Sequence, residues 1–151
     1  MNALKLGFLN DKTIYNIRNK PWDFCASKIK TDLIRYEHIL IPFLYNNHWM
    51  LFDYKDNVLT IYNSLNLNQD ISKISIVKAI KECLEAILQK TIIVKDALNI
   101  PQQQNSVDCG IMVLLYAKAI SFNTPIPISN NYSLYRAVII YELLRGAIIK
   151  I

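Results

Sequence analysis

Cys109 is the residue best placed for covalent chemistry. It lies near the end of a polar stretch, PQQQNSVDCG (101–110), and an apolar run, IMVLLYAKAI, follows. Asp108 is a residue type favoured at helix N-caps, so the sequence predicts a helix that starts near Cys109. Unpaired N–H groups and the helix dipole stabilise a thiolate in a first helical turn, and Gly110 leaves room for a substrate backbone. The pattern indicates a nucleophile; the plainer alternative is an inert buried thiol before a core helix.

A base for this thiol, and a group to orient the base, are found in a predicted hairpin. Of the two histidines, His38 lies in a mixed stretch, whereas His48 opens the strand-like segment HWMLFDY. Asn63 lies at the end of the next strand-like segment, VLTIYNS (58–64), one residue before its last, so we expect the side chains of His48 and Asn63 to meet at facing strand ends. A Cys/His/Asn set is a known solution for nucleophilic catalysis, because an amide orients imidazole without carrying charge. The alternatives are a hydrogen-bonded strand histidine and a turn-capping asparagine.

Gln103 is the candidate donor for an oxyanion. It lies in the loop that leads into the predicted helix of Cys109. Its side-chain NH2 group, together with the backbone N–H of Cys109, would form an oxyanion hole, and each such donor contributes about 2.7–4 kcal/mol. The neighbouring Gln102 and Gln104 are interpreted as loop residues.

The elements that must position these residues follow from the apolar pattern. Three segments rich in β-branched and aromatic residues predict strands: HILIPFLY, HWMLFDY and VLTIYNS. The residues KDN between the second and third segments favour a hairpin turn. Apolar residues at helical spacing over 71–90 predict a helix, and the strand after it indicates a crossover. A short helix in DKTIYNIRNK, a helix near Cys109 and a helix from about Ser133 to Lys150 complete an α+β fold, a small mixed sheet flanked by helices. The predicted strands are 38–45, 48–54, 58–64 and 91–97.

Composition narrows the class of protein. Hydrophobic residues make up 52% of the 151 positions and charged residues 19%, which predicts one folded domain over 1–151. The net charge is +5, but the lysines are scattered, so we expect no nucleic-acid partner. No apolar run is long enough to span a membrane. Cys25, Cys83 and Cys109 show no CxxC spacing, which favours neither a metal site nor a disulfide framework and suits a reducing compartment.

In their order along the chain, four motifs resemble the ubiquitin-like-protein protease family (Ulp, or sentrin/SUMO-specific protease), which belongs to the CE clan of cysteine peptidases. FLND (8–11) is similar to the family's Trp-Leu-Asn-Asp, and HWMLF with IYNSL is similar to its His-Trp strand and Asp-Ser-Leu. PQQQNSVDCGIMVL is close to its Pro-Gln-Gln-x-Asn-x-x-Asp-Cys-Gly signature, and YRAVIIYELL is similar to its closing helix. The cysteine motif is the most specific of the four.

The resemblance implies a papain-like, Ulp-type fold and four catalytic roles. Cys109 would be the nucleophile, His48 the general base, Gln103 the oxyanion donor and Asn63 the residue that orients the imidazole. Asn63 stands where the family usually has an acid. Because an amide lacks the charge that stabilises imidazolium, we expect activity with a weaker base.

The resemblance also implies three substrate-binding residues. Trp49 and Phe8 would clamp a narrow tunnel for a Gly-Gly tail, and Asp11 would meet a basic residue of the modifier. Only residues without side chains pass between flat aromatic walls. Phe8 replaces the family's Trp, and the segment between FLND and HW is short for the family, which leaves less surface for recognition.

The expected function is a thiol isopeptidase that cleaves after the C-terminal Gly-Gly of ubiquitin, SUMO or a Nedd-type modifier through a thioester. We expect a monomer without cofactor or metal in the cytoplasm or nucleus, or in a host cytosol if the protein is a deubiquitinase of the bacterial-effector type. One alternative is a CE-clan acetyltransferase that uses the same cysteine and histidine. The other is a catalytically weak module that binds a ubiquitin-like protein, which the amide of Asn63 keeps open.

Overall fold

A four-stranded sheet organises the described part of the chain, which comprises residues 38–65, 75–127 and 131–146 of a computed structural model. The strand order is β1-β2-β3-β4. The first three strands are antiparallel, and β3 and β4 are parallel, so the sheet is mixed. The bounds are β1 His38–Tyr45, β2 His48–Lys55, β3 Val58–Tyr62 and β4 Ile93–Asp96.

Two tight turns set the register of the antiparallel strands. Asn46 and Asn47 join β1 to β2, and Asp56 and Asn57 join β2 to β3, all with φ between 49° and 63°. Such two-residue turns match the twist of the strands they connect, and Asn and Asp tolerate the left-handed conformation. The predicted KDN turn is therefore confirmed. The first turn also fixes His48 as the residue with which β2 begins.

Three helices complete the described fold: α1 Ser75–Leu88, α2 Cys109–Phe122 and α3 Tyr132–Arg145. Helix α1 links β3 to the parallel strand β4, as the crossover prediction requires. Helix α3 ends earlier than predicted because Gly146 adopts φ 62° and caps it with a left-handed residue. No helix in the described ranges is long and apolar enough to cross a membrane.

The sheet separates two hydrophobic clusters. Ile39, Phe52 and Ile61 pack with α1 residues such as Val77 and Leu84. Because successive side chains of a strand point to opposite faces, Leu40 and Leu51 lie on the other side. There they pack with residues of α2 and α3, namely Met112, Val113, Leu115, Tyr116, Tyr132 and Tyr135. The predicted α+β arrangement, a small mixed sheet flanked by helices, is confirmed.

Several predictions fall outside the described residues. These are the short helix in DKTIYNIRNK, the site residues Phe8 and Asp11, and the first residues of the helix predicted over 71–90. Within the described ranges, β3 ends at Tyr62, so Asn63 follows the strand rather than belonging to it.

Candidate active site

Cys109 is the first residue of α2. Its thiol is free, and the residue is 6% exposed. The predicted helix start is therefore confirmed. A thiol in a first helical turn lies beside backbone N–H groups that have no partner within the helix.

Asp108 occupies the N-cap position but does not cap the helix with its side chain, which corrects the expected role. Its carboxylate is 2% exposed; it accepts a hydrogen bond from Asn105 Nδ2 at 2.5 Å and forms an ion pair with Arg136 of α3. Burial of a carboxylate costs free energy unless the charge is paired. The Asp108 carboxylate therefore pairs with the Arg136 guanidinium instead of accepting hydrogen bonds from the N–H groups of the first turn of α2. Asn105 Oδ1 instead accepts from the backbone N–H groups of Val107 and Asp108, at 2.9 and 3.0 Å.

The structure joins His48 to Asn63, as the hairpin predicted. His48 Nε2 lies 2.7 Å from Asn63 Oδ1. The backbone N–H of Leu65 donates to the same oxygen at 3.1 Å, which fixes the orientation of the amide. Because an amide oxygen only accepts, His48 Nε2 must carry the proton, and in the neutral ring Nδ1 then holds the lone pair. The contact with Asn63 thus leaves Nδ1 as the ring nitrogen that can accept a proton.

The nitrogen atom of the Asn63 side-chain amide is buried without a hydrogen bond among the described residues. Asn63 is 7% exposed, and its Nδ2 has no hydrogen-bond partner among the described residues. A buried donor without a partner costs about 1–3 kcal/mol. The oxygen end of this amide is therefore satisfied twice, while the nitrogen end is not.

Trp49 brings the start of β2 against the start of α2. A Cβ built on Gly110 would lie 3.8 Å from Trp49 Cδ1, so the indole edge lies beside the residue that follows Cys109. Trp49 is 38% exposed and presents the rest of its ring at the surface. His48 and Cys109 thus flank a pair of residues that pack together, and the predicted base and nucleophile lie on adjoining elements.

Gln103 is held from both ends of its side-chain amide. The Ser64 hydroxyl donates to Oε1 at 2.5 Å, and Nε2 donates to the backbone carbonyl of Asn105. The Gln103 backbone N–H donates to the Ser64 carbonyl at 2.9 Å. Gln103 is 8% exposed, and one of its two Nε2 hydrogens has no acceptor in the described part of the chain.

The loop that carries Gln103 is anchored by two tyrosines. The hydroxyl of Tyr116 donates to the carbonyl of Pro101 at 2.5 Å, and that of Tyr132 donates to the carbonyl of Gln102 at 3.2 Å. Burial raises the pKa of both phenols, so both remain donors at neutral pH. Gln102 Nε2 also donates to the carbonyl of Asn63, at 3.3 Å, so Gln102 ties the loop to the end of β3.

Sequence reasoning missed the roles of Ser64, Asn105 and Arg136, although each lies in a motif that had been singled out. Ser64 follows Asn63 in IYNSL, Asn105 lies in PQQQNSVDCG, and Arg136 lies in YRAVIIYELL. The sequence offered one signal for the role of Arg136. Asp108, the acid before Cys109, needs a cation if it is buried, and the quoted motifs contain few cationic residues besides Arg136. Phe8 and Asp11 lie outside the described residues, so their predicted binding roles stay predictions.

Sequence comparisons find a matching family model and related proteins. A family model for the C-terminal catalytic domain of the Ulp1 protease family matches residues 9–142. The sentrin-specific protease 5 of Homo sapiens is 29% identical over 111 residues, which cover 68% of this chain and 14% of the relative. The Mus musculus protein of the same name matches to the same extent. The chain therefore corresponds to a small part of these relatives.

Solved structures share the fold. A structure of the SUMO protease Ulp1 with its catalytic cysteine oxidised to a sulfenic acid superposes with a TM-score of 0.74 at 18% identity, over 95% of this chain and 70% of that chain. The C-terminal Ulp1 protease domain in complex with Smt3, the yeast ortholog of SUMO, gives a TM-score of 0.63 at 19% identity, over 83% of this chain and 61% of that chain. At these identities the likeness concerns the architecture.

Proposed function

The chain belongs to the Ulp1 protease family, and we propose that it is a cysteine protease that cleaves after the C-terminal Gly-Gly of a ubiquitin-like modifier, with SUMO preferred. The preference for SUMO is supported by the relatives, which are named sentrin-specific and SUMO proteases. The observation that carries the chemistry is the hydrogen bond from His48 Nε2 to Asn63 Oδ1, on a strand whose Trp49 packs beside Gly110.

The proposed reaction begins with proton transfer from Cys109 Sγ to His48 Nδ1, the ring nitrogen that the Asn63 contact leaves unprotonated. The thiolate attacks the carbonyl carbon of the terminal glycine, and the electron pair of the carbonyl moves to its oxygen. The imidazolium then protonates the leaving amine as the C–N bond breaks, which leaves a thioester. Water, deprotonated by the imidazole, hydrolyses the thioester and restores the thiol.

The oxyanion of the tetrahedral intermediate is proposed to bind Gln103 Nε2 and the backbone N–H of Cys109. The Gln103 amide supports this role because it is buried and has one hydrogen unused among the described residues. Donors that are already fixed in position stabilise developing charge without reorganisation, and removal of one such donor slows catalysis by about 10²- to 10³-fold.

Trp49 is proposed to form one wall of the groove for the Gly-Gly tail. Its partly exposed ring, beside the glycine that follows the nucleophile, offers a flat surface that a residue without a side chain fits. Phe8 as the opposing wall and Asp11 as a contact to a basic residue of the modifier remain parts of the same proposal, as does action on the modifier in the cytoplasm or nucleus.

Hydrolysis of a SUMO C-terminal fluorogenic amide by the wild type and by variants tests the proposal. Cys109→Ala and His48→Ala are expected to lower kcat by at least about 10³-fold, because each removes a member of one catalytic unit. His38→Gln is the matched control, since His38 pairs with Asp53, away from Asn63, and should keep wild-type activity. Ubiquitin and Nedd-type amides in parallel measure selectivity. Wild-type activity in Cys109→Ala, or acetyl transfer from acetyl-CoA without hydrolysis, would overturn the proposal.

A further inference from the structure

Ser64 makes two contacts to Gln103 that no catalytic role explains. Its hydroxyl donates to Gln103 Oε1 at 2.5 Å, and its carbonyl accepts from the Gln103 backbone N–H at 2.9 Å. Ser64 is 1% exposed, so its contact with Gln103 is shielded from solvent. A buried hydroxyl holds the amide that it contacts in place. Because a hydroxyl both donates and accepts, the orientation of that amide is set by its other partner.

The second contact of the amide fixes its orientation. Gln103 Nε2 donates to the carbonyl of Asn105, so a rotation of the amide by 180° would place Oε1 against that carbonyl oxygen. It would also place Nε2 next to Ser64 Oγ, so the Ser64 hydroxyl hydrogen would lose the Oε1 acceptor that it now has. The Ser64 hydroxyl and the Asn105 carbonyl together leave one Nε2 hydrogen directed away from both.

We propose that Ser64 is a positioning residue for the oxyanion donor: its hydroxyl holds the Gln103 amide with one N–H presented to the reacting carbonyl. The inference rests on the proposed function and deepens it. Ser64 follows Asn63, which binds His48. The end of β3 therefore holds the base through one residue and the oxyanion donor through the next.

Steady-state hydrolysis of the SUMO amide by Ser64→Ala, Gln103→Ala and the double variant tests this role. Gln103→Ala is expected to lower kcat by about 10²- to 10³-fold. Ser64→Ala is expected to lower kcat by roughly tenfold or more with KM within about twofold, because the donor matters only when the oxyanion forms. In the Gln103→Ala background, Ser64→Ala should lower kcat by less than about twofold, since no amide remains to be held.

Alkylation of Cys109 by iodoacetamide separates positioning from general damage. This substitution at a saturated carbon forms no oxyanion, so its pH–rate profile should be the same in Ser64→Ala and wild type. Ser64→Cys, which keeps the size but donates weakly, should give an intermediate kcat. Tyr54→Phe is the control for the loss of a buried hydroxyl contact, since Tyr54 donates to Asn57 at the turn between β2 and β3. Wild-type kcat in Ser64→Ala, or effects that multiply in the double variant, would overturn the inference.

NMR signals of the Gln103 side-chain amide also show directly, without any substrate, whether Ser64 holds this amide. In ¹⁵N NMR spectra its NH2 pair is the one absent from Gln103→Ala, and Ser64→Ala should shift this pair and speed its exchange with water. An unchanged pair overturns the positioning role even if the protein cleaves no modifier. Conversely, absence of hydrolysis by the wild type, with the pair altered in Ser64→Ala, contradicts the proposed function and shows only that Ser64 holds the Gln103 amide.

Discussion

At the scale of single residues, the proposed mechanism makes the amide of Asn63 the group that sets the basicity of His48. Its oxygen accepts from His48 and from the Leu65 backbone, so it orients the imidazole as a carboxylate would. It adds no negative charge beside the imidazolium that forms during the reaction. Orientation and charge stabilisation, which an acid supplies together, are therefore separated at this site.

Substitution of Asn63 distinguishes these two contributions. Asn63→Ala should lower kcat/KM by about 10²-fold, because the ring loses its orienting contact. Asn63→Asp should extend the alkaline limb of the pH–rate profile by about one pH unit, because a carboxylate favours the charged imidazole. The pH dependence of SUMO amide hydrolysis measures both effects. An alkaline limb at the same pH in Asn63→Asp and wild type would show that charge at this position is irrelevant.

Asp53 offers a residue-scale prediction about stability rather than activity. Burial raises its pKa, and the adjacent His38 offsets part of that rise. Because the folded-state pKa lies above the unfolded one, the stabilising contribution is present below about pH 4 and is lost as the pH rises through the folded value. Asp53→Asn removes this titration and still accepts a hydrogen bond from His38. Urea unfolding from pH 4 to 7 should show the variant gaining stability relative to wild type; a constant difference would contradict the effect.

At the scale of elements, α3 supports the loop before the nucleophile. Arg136 forms an ion pair with the buried carboxylate of Asp108, and Tyr132 donates to the carbonyl of Gln102. A second, mostly buried ion pair joins Lys118 of α2 to Glu142 of α3. The helix that carries no catalytic residue in the proposed reaction thus fixes the geometry of the loop that carries Gln103.

Removal of the Arg136 side chain tests this support. Arg136→Ala leaves the Asp108 charge buried without its cation and should lower the free energy of unfolding by about 1–3 kcal/mol. Arg145→Ala is the matched control on the same helix, because Arg145 contacts only exposed Tyr141 among the described residues, and a change within about 0.5 kcal/mol is expected. Chemical denaturation measures both. Equal stability losses in the two variants would show that the Asp108 pair contributes nothing particular.

The elements themselves followed from local patterns, whereas the contacts between them did not. The strand starting at His48 and the helix starting at Cys109 were predicted because alternation, turn residues and an apolar run are local properties. The contact between His48 and Asn63 also followed, since a two-residue turn fixes the pairing of adjacent strands. The contacts from Ser64 to Gln103 and from Arg136 to Asp108 join segments that are distant in the sequence, so local patterns do not predict them. For this reason Asp108 was predicted to cap the helix with its side chain, whereas in the folded protein it pairs with Arg136.

At the scale of the whole molecule, the sheet carries a packed cluster on each face, and the candidate catalytic groups gather where its strands end. Phe52 packs towards α1, while its neighbour Leu51 packs towards α2. Helix α2 is therefore held against the sheet by its buried residues, and its first turn meets the start of β2. The packing of α2 against the sheet therefore brings the helix start that carries Cys109 next to the strand that carries His48.

The most direct test of the central claim is covalent capture by modifiers that carry a C-terminal electrophile. SUMO, ubiquitin and Nedd-type probes are incubated with wild type, Cys109→Ala and His48→Ala, and adducts are mapped by mass spectrometry. The account predicts one adduct with the SUMO probe, located at Cys109, absent from Cys109→Ala and formed much more slowly by His48→Ala. A wild-type protein that reacts with none of the three probes would contradict it.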